Sequence, residues 1–180
     1  MHLGTVPTGR SSRTEISLKT ALRLSFAAVG LLGLACSFVH PSGPVKGQRS
    51  TGPLLSGADT DPSVTRVIER SCRNCHSERT EWPWYSYVAP LSWLIENDVH
   101  RGRSHMNLSQ WDTYTVDQQA ELLTKLGVEV RNRRMPLPKY LQLHPAARLS
   151  DDEVEQLYAW AHRERRRLRT AAKSRETPTD

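Results

Sequence analysis

The chain has 180 residues, 37% of them hydrophobic, with 25 Lys and Arg against 19 Asp and Glu for a net charge of +6. That is room for one modest domain with tails, and three cysteines are too few for a disulfide scaffold. Residues 1–23 carry four basic and one acidic residue and residues 162–180 carry seven and three, whereas 24–161 carries 14 and 15, so the basic charge lies at the ends and the middle does not read as a nucleic-acid-binding fold.

Residues 1–19 form a basic N-terminal tail. The stretch "LSFAAVGLLGLACSFV" at 24–39 has no charge and follows Arg10, Arg13, Lys19 and Arg23. A positive segment before an apolar run is the layout of a signal peptide or signal anchor. Counted from Thr20, the segment 20–39 is long enough to span a bilayer, and the charge bias places the N-terminus in the cytoplasm and the rest outside. "GLAC" at 33–36 is similar to a lipoprotein signal, which makes Cys36 a candidate for lipidation, although Gly33 stands where a larger aliphatic residue is usual. Residues 40–60 are rich in Pro, Gly and Ser and read as a linker. The expected location is the inner membrane of a bacterium, single-pass with the following domain in the periplasm, or free in the periplasm if the segment is cleaved.

Helix signals recur from residue 61. Asp61 with Pro62 reads as an N-cap and first helical position, and Val64, Val67 and Ile68 share a face that leads into Cys72. "RTEWPWYSYVAP" at 79–90 is a proline-broken aromatic loop. A second helix starts at Ser92 and is expected to end near Gly102. Thr115 with Gln118 forms a capping box for a third helix carrying Leu122, Leu123, Leu126 and Val130. Residues 134–149 hold three prolines and cannot be one helix, and Ser150 with Glu153 caps a fourth whose apolar face is Val154, Leu157, Tyr158 and Ala161. No strand pattern or repeat is visible. The predicted fold is all-α, a small domain of four helices over 61–163 with long loops, followed by a basic, disordered tail at 164–180.

The chemistry concentrates in "SCRNCH" at 71–76. A c-type haem needs two thiols to add across its vinyl groups and an imidazole below the iron. Cys72 and Cys75 lie one helical turn apart, and His76 follows at once. Attachment takes place on the exported side of a bacterial membrane, where the N-terminus sends this domain. A zinc site wants a second Cys or His pair; His100 and His105 are present, but no further cysteine is. A redox dithiol wants a β-α-β setting, and the surroundings read as helical. The sixth iron ligand is then sought among Met1, Met106, Met135 and the histidines. Met135 in "RMPLP" precedes the last helix and is the favoured distal ligand, with His144 as its main rival. His105 and Met106 trail, and a five-coordinate iron open to peroxide or a gas is the further alternative.

The segment 71–111 resembles the bacterial haem-binding domain family of membrane-anchored, single-haem, c-type proteins. The resemblance rests on Cys72 to Ser77, Trp82 to Ser86, Pro90 to Trp93, Gly102-Arg103 and Asn107 to Trp111, with Met135-Pro136, Tyr140, His144-Pro145 and Leu149 to Glu153 in a second block. Leu108 stands where the family usually has Phe and keeps the position apolar. The resemblance covers about residues 62–161. It implies one covalent haem c, held by Cys72, Cys75 and His76. The likeness of the Met-Pro loop to the end of small class I cytochromes c supports Met135 as axial ligand. Electron transfer with a redox partner in the periplasm or membrane is the expected function, rather than an enzyme activity. Trp82, Trp84, Tyr85 and Trp93 read as haem-pocket walls or as ordinary core. Arg101 and Arg103 read as propionate partners or as solvated charge. The run 162–169 reads as an Arg-rich extension of the last helix, either a solvated basic face or a contact for anionic lipid or an acidic partner.

Overall fold

The computed structural model describes residues 11–39 and 52–176. Met1 and most of the 40–60 stretch lie outside the described residues. The described chain is all-α, with seven α-helices, three short 3-10 turns and no strand. It divides into two compact units, Met1–Gly43 with Pro83–Ile95, and Pro44–Trp82 with Glu96–Asp180.

In the first unit, helix α1 spans Ser11–Cys36. Its stretch Leu18–Cys36 is 19 residues long with mean hydropathy 1.5 and no buried share, long and apolar enough to cross a membrane by length and composition. The unit's other piece holds the 3-10 turn Trp84–Tyr87 and the first residues of helix α4, Leu91–His105. The Ala89 N–H donates to Ser37 Oγ at 3.2 Å, and Trp93 Nε1 donates to the Val39 carbonyl at 2.7 Å.

In the second unit, α2 spans Pro62–Ser71, the single turn α3 Arg73–His76, α5 Val116–Arg131, α6 Pro138–Leu143 and α7 Asp151–Glu176. The caps follow the sequence signals. Asp61 accepts hydrogen bonds from the Ser63 and Val64 N–H groups, and Thr115 with Gln118 closes a reciprocal capping box. Helices α5 and α7 pack antiparallel, because their contacts run in opposite order: Arg165 to Thr124, Tyr158 to Gly127, Arg131 to Glu155. The core joins Val64, Val67 and Ile68 to Trp111, Leu123 and Val130 and to Val154, Leu157 and Trp160. This puts α2, which leads into the CxxCH motif, against α7, itself packed on α5, in one shared core.

Three boundaries differ from the sequence reading. The described end of the linker joins the core. Leu55 is buried, its N–H donates to the Leu108 carbonyl at 2.9 Å, and Trp160 Nε1 donates to the Asp59 carbonyl at 2.8 Å. The tail read as disordered from 164 is helical through Glu176, because Glu164 and Leu168 turn inward. The buried Glu164 carboxylate accepts two 2.6 Å bonds from Arg167 and one from the Asp59 N–H at 3.3 Å, so its charge is compensated. Helix α4 does not end at Gly102 but continues to His105.

Glu153 ties the start of α7 to α2. It accepts the Ser150 N–H at 2.9 Å and both Arg70 guanidinium nitrogens at 2.8 and 2.9 Å. The Arg70 hydrogen bond leads the causes that hold the Glu153 carboxyl down at about 2, against an ordinary value of 4.5. A depressed carboxylate stabilises the fold above its unfolded value and loses that contribution as pH falls toward the folded one. Stability supplied by Glu153 is therefore complete at neutral pH and lost between about 4.5 and about 2. Glu153→Gln is expected to cost about 1 kcal/mol at pH 7, discounted for the partial exposure of Arg70, and almost nothing near pH 2. Urea midpoints of the two proteins across that pH range check the convergence.

Candidate functional site

The motif is built where α2 gives way to α3. Cys72 caps α2 through its N–H to the Ile68 carbonyl at 2.9 Å, and its own carbonyl accepts the His76 N–H at 3.0 Å. Cys72, Cys75 and His76 therefore share one turn. Both cysteines are free thiols and partly buried. Burial pushes the Cys72 thiol up to about 12 and the Cys75 thiol up to about 11, so both are protonated at neutral pH. The Asp98 carboxylate raises Cys75 further, while Lys139 and Arg103 pull the other way, which sets all three charges around this sulfur.

His76 is oriented from below. Its Nδ1 lies 3.0 Å from the Met106 carbonyl, an acceptor only, so Nδ1 carries the proton and donates. Nε2 keeps its lone pair for a metal, the second-atom arrangement that fixes the tautomer of a ligating histidine. Burial lowers the His76 pKa, which keeps the ring neutral.

The loop after the motif is held to α4. Arg103 Nε donates to the Ser77 carbonyl at 2.9 Å and Nη2 to Thr80 Oγ1 at 3.1 Å. Thr80 Oγ1 donates in turn to the Asn74 carbonyl at 2.7 Å. Arg103 thus positions the turn through its donors. Gly102 sits against the same turn, where a Cβ would lie 2.5 Å from the Cys75 carbonyl oxygen. The sequence offered Gly102 as a helix stop; the structure uses its missing side chain for close approach.

The Met-Pro block meets the motif through α6. Asn74, between the two cysteines, donates from Nδ2 to Tyr140 Oη at 3.1 Å, and Lys139 pairs with Asp98 at 2.9 Å. Met135 lies partly buried in the turn between α5 and α6, its N–H toward the Glu129 carbonyl at 3.3 Å. His144 stacks on Tyr140 with ring centroids 4.0 Å apart and an angle of 12°, and its Nδ1 lies 3.2 Å from the Tyr140 carbonyl. The sequence reading missed Asn74 and the Met106 carbonyl and gave Tyr140 no contact with the motif, because long-range backbone and phenol contacts leave no local pattern.

Two thiols on one turn beside a neutral imidazole with an unprotonated Nε2 are the donor set that covalent haem c requires, so these residues fit the group. The haem-binding domain family matches residues 31–163. The chain belongs to that family. As a haem-binding domain it includes the end of α1, the CxxCH turn, Gly102, Met135 and Tyr140 within the matched residues. It is also similar to the cytochrome c peroxidase Ccp of Escherichia coli strain K12, 26% identical over 147 residues, which is 77% of this chain and 32% of that protein. The chain thus spans about a third of the length of the curated relative it matches. No solved structure matches it.

Proposed function

We propose that the chain binds one haem c covalently through Cys72 and Cys75, with His76 Nε2 as proximal ligand and the Met135 thioether as distal ligand. It carries electrons at the exported face of a bacterial inner membrane, held there by α1, and exchanges them with a redox partner in the periplasm or membrane. The observation that carries the haem reading is the His76 Nδ1 to Met106 carbonyl bond, which leaves Nε2 as the metal donor beside the two thiols. Bound haem supplies one-electron iron chemistry. The chain's own part is to anchor, orient and shield. Cys72 and Cys75 each add S–H across one vinyl group, Met106 holds the imidazole, and Arg103 and Asn74 brace the turn. Tyr140 is bonded to the motif itself, which ties the block that carries Met135 and His144 to the CxxCH turn. Met135 is taken over His144 because a soft thioether opposite histidine is the usual pair in electron carriers.

A second reading has a specific basis. The similar Escherichia coli protein is named a cytochrome c peroxidase, which favours an iron open to peroxide. The two oxidation states distinguish the readings. With Met135 bound, the oxidised wild type shows a thioether-to-iron absorption band and the reduced wild type binds carbon monoxide slowly. Met135→Ala is expected to lose that band entirely and to bind carbon monoxide at once. An unchanged spectrum moves the ligand to His144, and immediate binding by the wild type supports the open site.

A further inference from the structure

The first unit contains a segment that is inside out. Residues 82–95 carry no charge over fourteen positions, shorter than a membrane span and of the length of an interfacial segment. Within it the serines are buried and the apolar side chains are not: Ser86 is 0% and Ser92 1% exposed, whereas Trp84 is 79%, Tyr87 55%, Val88 49%, Leu91 40% and Leu94 45% exposed. Those five exposed positions fall within residues 84–94, in the 3-10 turn Trp84–Tyr87, the extended Val88 that follows it and the start of α4. Single exposed apolar residues are ordinary on a protein surface; such a cluster beside buried serines is not.

The segment is bonded to the end of the apolar helix. The Ala89 N–H bonds to Ser37 and the Trp93 indole N–H to the Val39 carbonyl, the residues that follow Cys36 where the apolar run Leu18–Cys36 ends. The end of a span is the depth of the headgroup layer, where Trp and Tyr are favoured because the ring is apolar and its tip is polar. We propose that Pro83–Leu94 is a membrane-interface anchor that beds Trp84, Tyr87, Val88, Leu91 and Leu94 into the phospholipid layer entered by α1. This rests on the reading of α1 as membrane-embedded, and it gives the chain two membrane attachments on either side of the CxxCH motif in sequence.

The test uses the full haem-loaded chain in vesicles of phosphatidylethanolamine and phosphatidylglycerol. A photo-reactive benzoyl-phenylalanine is placed at position 84, 87 or 94, or at the exposed polar positions Asp112, Glu121 and Asp152 of the second unit. Lipid adducts several-fold stronger at 84, 87 and 94 than at the three polar positions are expected. Equal labelling at all six positions, or adducts to protein in place of lipid when the same chains are irradiated in native membranes, overturns the proposal. Alkaline carbonate separates its failure from that of the anchor reading. A chain that stays in the membrane pellet yet gives no lipid adduct overturns this inference alone, whereas a chain released by carbonate overturns the anchor reading and this inference with it.

Discussion

Gly102→Ala is expected to lower both the melting temperature and the yield of covalent haem. In an ordinary helix interior the change from Gly to Ala gains about 1 kcal/mol in propensity. Here the new Cβ meets the Cys75 carbonyl oxygen at 2.5 Å, the carbonyl carbon at 3.0 Å and Cβ at 3.2 Å. The two nearest atoms are backbone, so no flexible side chain can yield. Overpacking of this kind costs about 1–3 kcal/mol and outweighs the propensity gain. The relief must separate α4 from the CxxCH turn. That shift stretches the Arg103 to Ser77 bond and the His76 to Met106 bond, both within four residues of the clash. Thermal melting and haem content, measured together, check this. A variant that melts higher than wild type with full haem shows that Gly102 is merely a weak point in the helix.

Trp160→Ala is expected to unfold or nearly unfold the second unit. The indole is 2% exposed in the centre of the core, and its Nε1 holds the Asp59 carbonyl. Truncating a buried Trp costs about 3–5 kcal/mol, and a domain of this size holds about 5–15 in total. The loss reaches the site because α2, which ends in Cys72, packs on the same core. Trp160→Phe keeps most of the buried area and loses the N–H donor, so a cost of about 1–2 kcal/mol is expected. Urea midpoints of the two variants check the ratio; equal, small losses in both contradict a core role for the indole.

The local devices of this fold were legible in the sequence. Asp61-Pro62, Thr115 with Gln118 and Ser150 with Glu153 announce their helix starts, because a cap needs only side chains within three residues. The elements decided by distant partners were not. Leu54 to Asp59 look like linker by composition but are held by Leu108, Trp160 and Glu164. The Arg-rich run 162–169 reads as an extension of the last helix, but its inward Glu164 and Leu168, which carry the helix on to Glu176, have partners only in the folded core. Gly102 carried the right residue type and the wrong reason, since a stop and a close contact both call for glycine. At the proposed site, the spacing of Cys72, Cys75 and His76 is what singles them out in the sequence. Their supports from Met106, Arg103 and Tyr140 come from other elements and emerge only on folding.

The most direct test of the central claim is a haem stain after denaturing electrophoresis. The full chain is expressed with an active c-type haem-attachment system, beside Cys72→Ala/Cys75→Ala. A stained band at the mass of the chain that is lost in the double variant is the predicted result, because two thioether bonds survive denaturation. A chain that is expressed and exported but carries no stain contradicts covalent attachment at Cys72 and Cys75.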